Sequence, residues 1–115
     1  MSTVTERPGA APTQPELDHA VDVLRLLADR TRLAILAMLD GQEMSVTAIS
    51  AALGRPAAAV SQHLAKLRAG RLVAARRDGT TVFYTQPDEH VAALVTNVLH
   101  LTEHALYAVP PHHRP

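Results

Sequence analysis

Residues 55–84 read RPAAAVSQHLAKLRAGRLVAARRDGTTVFY, and they constrain the fold more than any other part of the chain. Val60, Leu64 and Leu67 recur at three- and four-residue spacing, which predicts a helix over 57–69 with one apolar stripe. Pro56 suits the first turn of such a helix. Two segments follow, 72–76 and 80–85, together rich in Val, Thr, Phe and Tyr. Asp78-Gly79 between them is a dipeptide favoured in tight hairpin turns. A polar helix followed by a short hairpin is the order of parts with which a winged helix-turn-helix docks on DNA.

The upstream sequence supplies the rest of that unit. Ser45 can cap a short helix with Val46, Ile49 and Leu53 inward, and Gly54 ends it. A turn at Gly54-Arg55 then leads into the 57–69 helix. Leu17, Ala20, Val21, Leu24, Leu27 and Ala28 predict a first helix, and TRLAILAML (31–39) a second, mostly buried one. After Pro87 a last helix is expected over about 88–107, with Val91, Leu94, Val95, Val98, Thr102 and Ala105 on one stripe. The expected fold is mainly α with a small β-hairpin, a dimeric winged helix-turn-helix of five helices plus a two-stranded wing. Residues 1–15, with Pro8, Pro12 and Pro15, read as a disordered arm, 16–107 as the domain, and 108–115 as a His- and Pro-rich tail.

Composition narrows the chemistry. The 115 residues suit one compact domain. With no Cys there are no disulfides, Cys-ligated zinc fingers, iron-sulfur clusters or thiol nucleophiles. No apolar run reaches the ~18 residues of a membrane span, and the N-terminus lacks a signal pattern, so a cytoplasmic protein is expected. The formal net charge is zero, but the charges are segregated. From Met44 to Arg77 the ionised residues are Arg55, Lys66, Arg68, Arg71, Arg76 and Arg77, with no Asp or Glu. Phosphate attraction is screened over roughly 10 Å, so a local basic patch outweighs the total.

A helix in the major groove presents short polar side chains to base edges and basic ones to phosphates. Ser61, Gln62, His63, Lys66 and Arg68 fit those roles, with Gln a natural partner for adenine. Alanines at 57–59 keep the front of the helix narrow. Arg76 and Arg77, before the hairpin tip, would flank the minor groove or the backbone and supply affinity more than specificity. The bland reading is ordinary solvated charge on a small helical domain.

Three strings, LLADRTRLAILAML, AVSQHLAKLRAGRLV and RRDGTTVFY, make the chain resemble the ArsR/SmtB family of winged-helix transcriptional regulators. The resemblance covers about 16–107. It implies a DNA-binding homodimer on an imperfect inverted repeat, with the first and last helices at the subunit interface. Most such proteins are repressors released by a metal ion. Where thiol-using sensors of the family carry an ELCVCDL-like string, this chain has Glu43-Met-Ser-Val-Thr-Ala-Ile49. Ser45 and Thr47 replace both sulfurs, which turns attention to ions content with imidazole and carboxylate: nickel, cobalt and zinc.

In its last helix and tail the chain is most similar to the KmtR-type nickel/cobalt sensors of the family. That likeness implies His90, Glu103, His104, His112 and His113 as ligands of Ni2+ or Co2+, with Zn2+ an alternative and Asp88 and His100 as further candidates. His90 and His104 are fourteen residues apart, so they lie about 21 Å apart along one helix and within roughly 40° of one face. A single helix cannot close that gap around an ion. An antiparallel partner helix crossing near Asn97 would bring His90 of one subunit beside His104 of the other. Zinc sensors carry a ligand where Leu101 stands, so the four-residue zinc arrangement is incomplete.

A regulator of the same fold that is constitutive or controlled by a protein co-regulator is the competing reading. A small metalloenzyme or metal carrier is another, but no His-Glu-x-x-His string is present and no enzymatic activity is expected. A winged-helix module for protein binding would not need six basic residues uninterrupted by acids across the reading unit.

Overall fold

The computed structural model describes residues 9–107 of the chain. Five helices and three strands follow one another as α1 (Gln14–Leu27), α2 (Arg30–Met38), β1 (Met44–Ser45), α3 (Val46–Leu53), α4 (Ala57–Ala69), β2 (Ala74–Asp78), β3 (Thr81–Thr85) and α5 (Glu89–Tyr107). The proposed tail, 108–115, and the first part of the proposed arm lie outside the described residues. None of the described helices is long and apolar enough to cross a membrane.

Local chemistry sets most of the boundaries. Thr13 caps α1 by a reciprocal pair of bonds: its hydroxyl accepts the Glu16 amide at 3.2 Å, and the Glu16 carboxylate accepts the Thr13 amide at 2.7 Å. The helix therefore starts two residues before the expected Glu16. Asp29 caps α2 through the Arg32 amide, and Ser45 caps α3 through the Ala48 amide. Gly54 ends α3 in the left-handed conformation, φ 65°.

The expected two-stranded wing is present as β2 and β3, and a third strand that the sequence did not announce joins it. The sheet order is β1-β3-β2, all antiparallel, because Met44 and Ser45 pair with Tyr84 and Phe83. The hairpin is also offset. Asp78 pairs with Thr81, so the loop residues are Gly79 and Thr80, and the positive φ of 65° falls on Gly79. That is the geometry in which a glycine takes the first loop position.

The core gathers where α4 crosses α2 and α3. Val60, Leu64 and Leu67 of α4 are wholly buried against Ile35, Leu36 and Leu39 around α2 and Ile49 of α3. Each such side chain contributes about 1.5–3 kcal/mol by leaving water. Leu72 and Val73, before the wing, and Val91 and Val95 of α5 close the cluster. The two terminal helices are only partly used. α1 buries Leu27 but exposes Leu17, Val21 and Leu24, and no residue of α5 after Val95 is buried.

Candidate nucleic-acid interface

α4 divides sharply by face. With Val60, Leu64 and Leu67 turned inward, Ser61, Gln62, Lys66 and Arg68 are exposed, interspersed with exposed Ala57, Ala58, Ala65 and Ala69. The small residues let the backbone approach a groove, while Lys66 and Arg68 in the last turn carry the charge. Arg55 is exposed beside the start of the helix. No acid lies on α3 or α4, so nothing on the reading unit repels phosphate.

Two of the sequence candidates have partners within the chain. His63 is half-buried: its Nδ1 lies 3.3 Å from Nη1 of Arg32 and 3.7 Å from Oδ2 of Asp29. The Asp29 carboxyl is held below its ordinary value, first by the hydrogen bond from the Arg32 amide and then by the charges of Arg32 and His63. Arg76 donates from both Nε and Nη2 to the Glu43 carboxylate, at 2.7 Å each. Those bonds push the Glu43 carboxyl down and the Arg76 guanidinium up. Arg77, next along β2, stays exposed.

Asp29, Arg32 and Glu43 were not singled out from sequence. Asp29 had a legible signal, an acidic residue just before a helical run. Glu43 had none, because its partner is thirty-three residues away.

The candidate metal ligands are spread along α5. His90 borders a cleft against α1 lined also by His19, Val23, Asp88 and Leu94. The Asp88 carboxylate accepts the amides of His90 at 2.7 Å and Val91 at 3.3 Å, so it serves as the helix cap. His100 and Glu103 border a different groove, against α2, with Leu36, Ala37 and Asp40. His104 is exposed in the last turn. Among the described residues no three His, Cys, Asp or Glu side chains come together as a metal-binding group. His112 and His113 lie outside the described residues.

Comparison with known proteins resolves the lineage. A family described as "Helix-turn-helix domain" matches residues 27–76, from the end of α1 into β2. The HTH-type transcriptional regulator KmtR of Mycobacterium tuberculosis is 52% identical over 94 residues, covering 82% of this chain and 72% of the relative. The HTH-type transcriptional repressor SmtB of the same species is 38% identical over 98 residues, covering 84% and 73%. The chain belongs to the ArsR/SmtB family. A solution structure from Mycobacterium bovis supports the fold of this ArsR/SmtB regulator: a homodimeric winged helix-turn-helix DNA-binding domain described as a possible ArsR-family regulator. It superposes with a TM-score of 0.75 at 34% identity, over 90% of this chain and 96% of that one. The ArsR/SmtB chain is accordingly a DNA-binding transcriptional regulator and not an enzyme.

Proposed function

We propose that this regulator works in the cytoplasm as a homodimer that sets two copies of α4 into successive major grooves of an inverted-repeat operator, as a repressor whose grip changes when nickel or cobalt binds. The observation that carries the dimer is the unused apolar surface of the terminal helices. Leu24 is 54% exposed, Leu101 70% and Leu106 64%, on α1 and on the half of α5 that protrudes from the core. A second copy would cover both stripes, and a two-fold axis would then present two α4 helices about 34 Å apart. Ser61 and Gln62 would read bases, with Lys66, Arg68 and Arg77 on phosphates.

The donors suit the metal in kind: imidazoles and a carboxylate, without sulfur. They do not converge within one described chain, so His90 and Glu103 with His104 would hold an ion only across the subunit boundary, completed by His112 and His113. When bound, the ion would favour one dimer arrangement over another by its differential affinity, a coupling typically of ~1–3 kcal/mol. The same dispersion of donors favours the second reading, a regulator of this fold that does not sense metal directly.

Calorimetric titration of the metal-free protein with nickel, cobalt and zinc separates the two. Binding at micromolar or tighter affinity near one ion per subunit supports sensing. Millimolar binding to all three ions supports the alternative.

A further inference from the structure

α4 is held in the core by Val60, Leu64 and Leu67, and apolar packing is non-directional. That stripe sets which face of α4 points inward, since turning it out would expose three wholly buried side chains, but it is less exacting about small rolls of the helix about its axis. Even a roll of a fraction of the ~100° between neighbouring residues shifts the side chains offered to a groove. Pro56 provides no side-chain cap to fix the roll. Among the described residues, the one hydrogen bond from an α4 side chain to another element is that between His63 and Arg32.

Arg32 is well placed to anchor it. Its Nε donates to the Leu26 carbonyl at 2.6 Å and its Nη2 to the Arg25 carbonyl at 3.4 Å, satisfying the free end of α1. The backbone amide of the same residue is bonded to Asp29, so the root of the side chain is tied as well. A guanidinium only donates, so its contact with His63 is a hydrogen bond when Nδ1 carries a lone pair and the proton sits on Nε2. Asp29, at 3.7 Å, is too far to compete for that nitrogen as a hydrogen-bond partner.

We propose that His63 and Arg32 are positioning residues for base reading: Arg32 joins the last turn of α1 to α4, and the Nδ1 of His63 accepts its bond, fixing the roll at which Ser61 and Gln62 face the groove. His63 then acts through its inner edge and not by touching a base. The inference rests on α4 being the element that reads DNA. It adds a rigid connection between α1, which bears the exposed stripe Leu17, Val21 and Leu24, and the reading helix.

Asparagine and glutamine separate the two edges of the imidazole. The Asn amide oxygen can stand near Nδ1, whereas the longer Gln amide reaches toward Nε2. The probe is a duplex recovered by the wild-type protein from a random-sequence library, compared with a scrambled duplex of the same composition. His63→Ala and Arg32→Ala are expected to lower the ratio of the two affinities about tenfold, His63→Asn to stay near wild type, and His63→Gln to resemble His63→Ala. The opposite ranking, Gln restoring and Asn not, would assign Nε2 to DNA and overturn the proposal. So would unchanged selectivity in all variants, or an equal loss in Asn and Gln. Circular dichroism of each variant checks the fold, and the Asn-to-Gln comparison remains decisive if His63→Ala unfolds. Independently of DNA, imidazole nitrogen shifts should show His63 protonated on Nε2 in the wild type and lose that preference in Arg32→Ala; no change there would also overturn it. A wild-type protein that selects no sequence would refute base reading by α4, while the nitrogen shifts would still report on the His63–Arg32 bond.

Discussion

Arg76 and Glu43 form a two-pronged ion pair that fastens β2 of the wing to the loop before β1, with both N···O distances at 2.7 Å. The same guanidinium lies 4.8 Å from the centre of the Phe83 ring, its cross-strand neighbour on β3. One side chain thus ties β2 to β3 and to the residue just before β1, while Arg77 beside it is exposed.

The ion pair makes a pH-dependent contribution whose sign is fixed. Hydrogen bonding to Arg76 lowers the Glu43 carboxyl below its ordinary 4.5, so the folded state holds that proton less readily than the unfolded chain. The stabilisation is complete above about 4.5 and is lost as pH falls through the lower folded value. Glu43→Gln should unfold at lower denaturant concentration than wild type at pH 7, by a small margin because the pair is exposed. The margin should close in acid and in high salt. A gap that persists unchanged at pH 3 would show that the charge is not its source.

At the end of α4, Gly70 and Arg71 divide two demands that usually fall on one glycine. The Leu72 amide bonds the Leu67 carbonyl and the Arg71 amide bonds that of Arg68, both at 2.9 Å, a helix stop that needs a left-handed residue. Arg71 fills that position at φ 63°, while Gly70 stands where a Cβ would run into the Leu26 side chain. Arg71→Gly should therefore stabilise the domain by about 0.5 kcal/mol, the left-handed strain relieved less the added entropy of the unfolded chain. Gly70→Ala should destabilise it by about 1 kcal/mol as Leu26 is forced to turn. Urea unfolding measures both, and equal signs would refute the division.

Much of the reading unit was legible because its signals are local. The bounds of α4 follow from Pro56 and a three-residue apolar stripe, and Gly54 marks the turn before it. β1 was not legible, since two residues carry no period and Ser45 announces a helix cap. The start of α1 was hidden by Pro12 and Pro15, which read as an arm although Thr13 and Glu16 stand at capping-box spacing. His63 was read as facing DNA for its polarity. Its position three residues after Val60 and four before Leu67 puts it within about 60° of the buried stripe, which was the available sign of its inward edge. The candidate metal donors were legible as residue types, but their spacing along α5 keeps them apart within one described chain.

The exposed stripe on α1 makes the dimer testable apart from any metal. Leu24→Glu places a charge on a residue 54% exposed in the single chain, so the single chain should still fold, with its helical circular dichroism kept. Burying that charge against a second copy would be costly. Sedimentation equilibrium should show the variant shifted toward monomer, and loss of paired binding should weaken operator affinity by about a hundredfold or more. A variant that remains dimeric would remove α1 from the interface.

Mixed dimers decide whether an ion bridges two subunits. If each site takes His90 from one chain and His104 from the other, His90→Ala and His104→Ala homodimers should both lose nickel-dependent changes in DNA binding, with metal-free affinity kept within a few fold. Refolding the two variants together forms a dimer in which one chain lacks His90 and the other lacks His104. One site then loses both imidazoles, and the second keeps both, so the mixture should regain a nickel response at reduced stoichiometry. Sites confined to a single chain would give no recovery, because every chain in the mixture is missing one donor. Recovery would also place the two α5 helices antiparallel, since fourteen residues separate the donors by about 21 Å along each helix and no other crossing brings both pairs together.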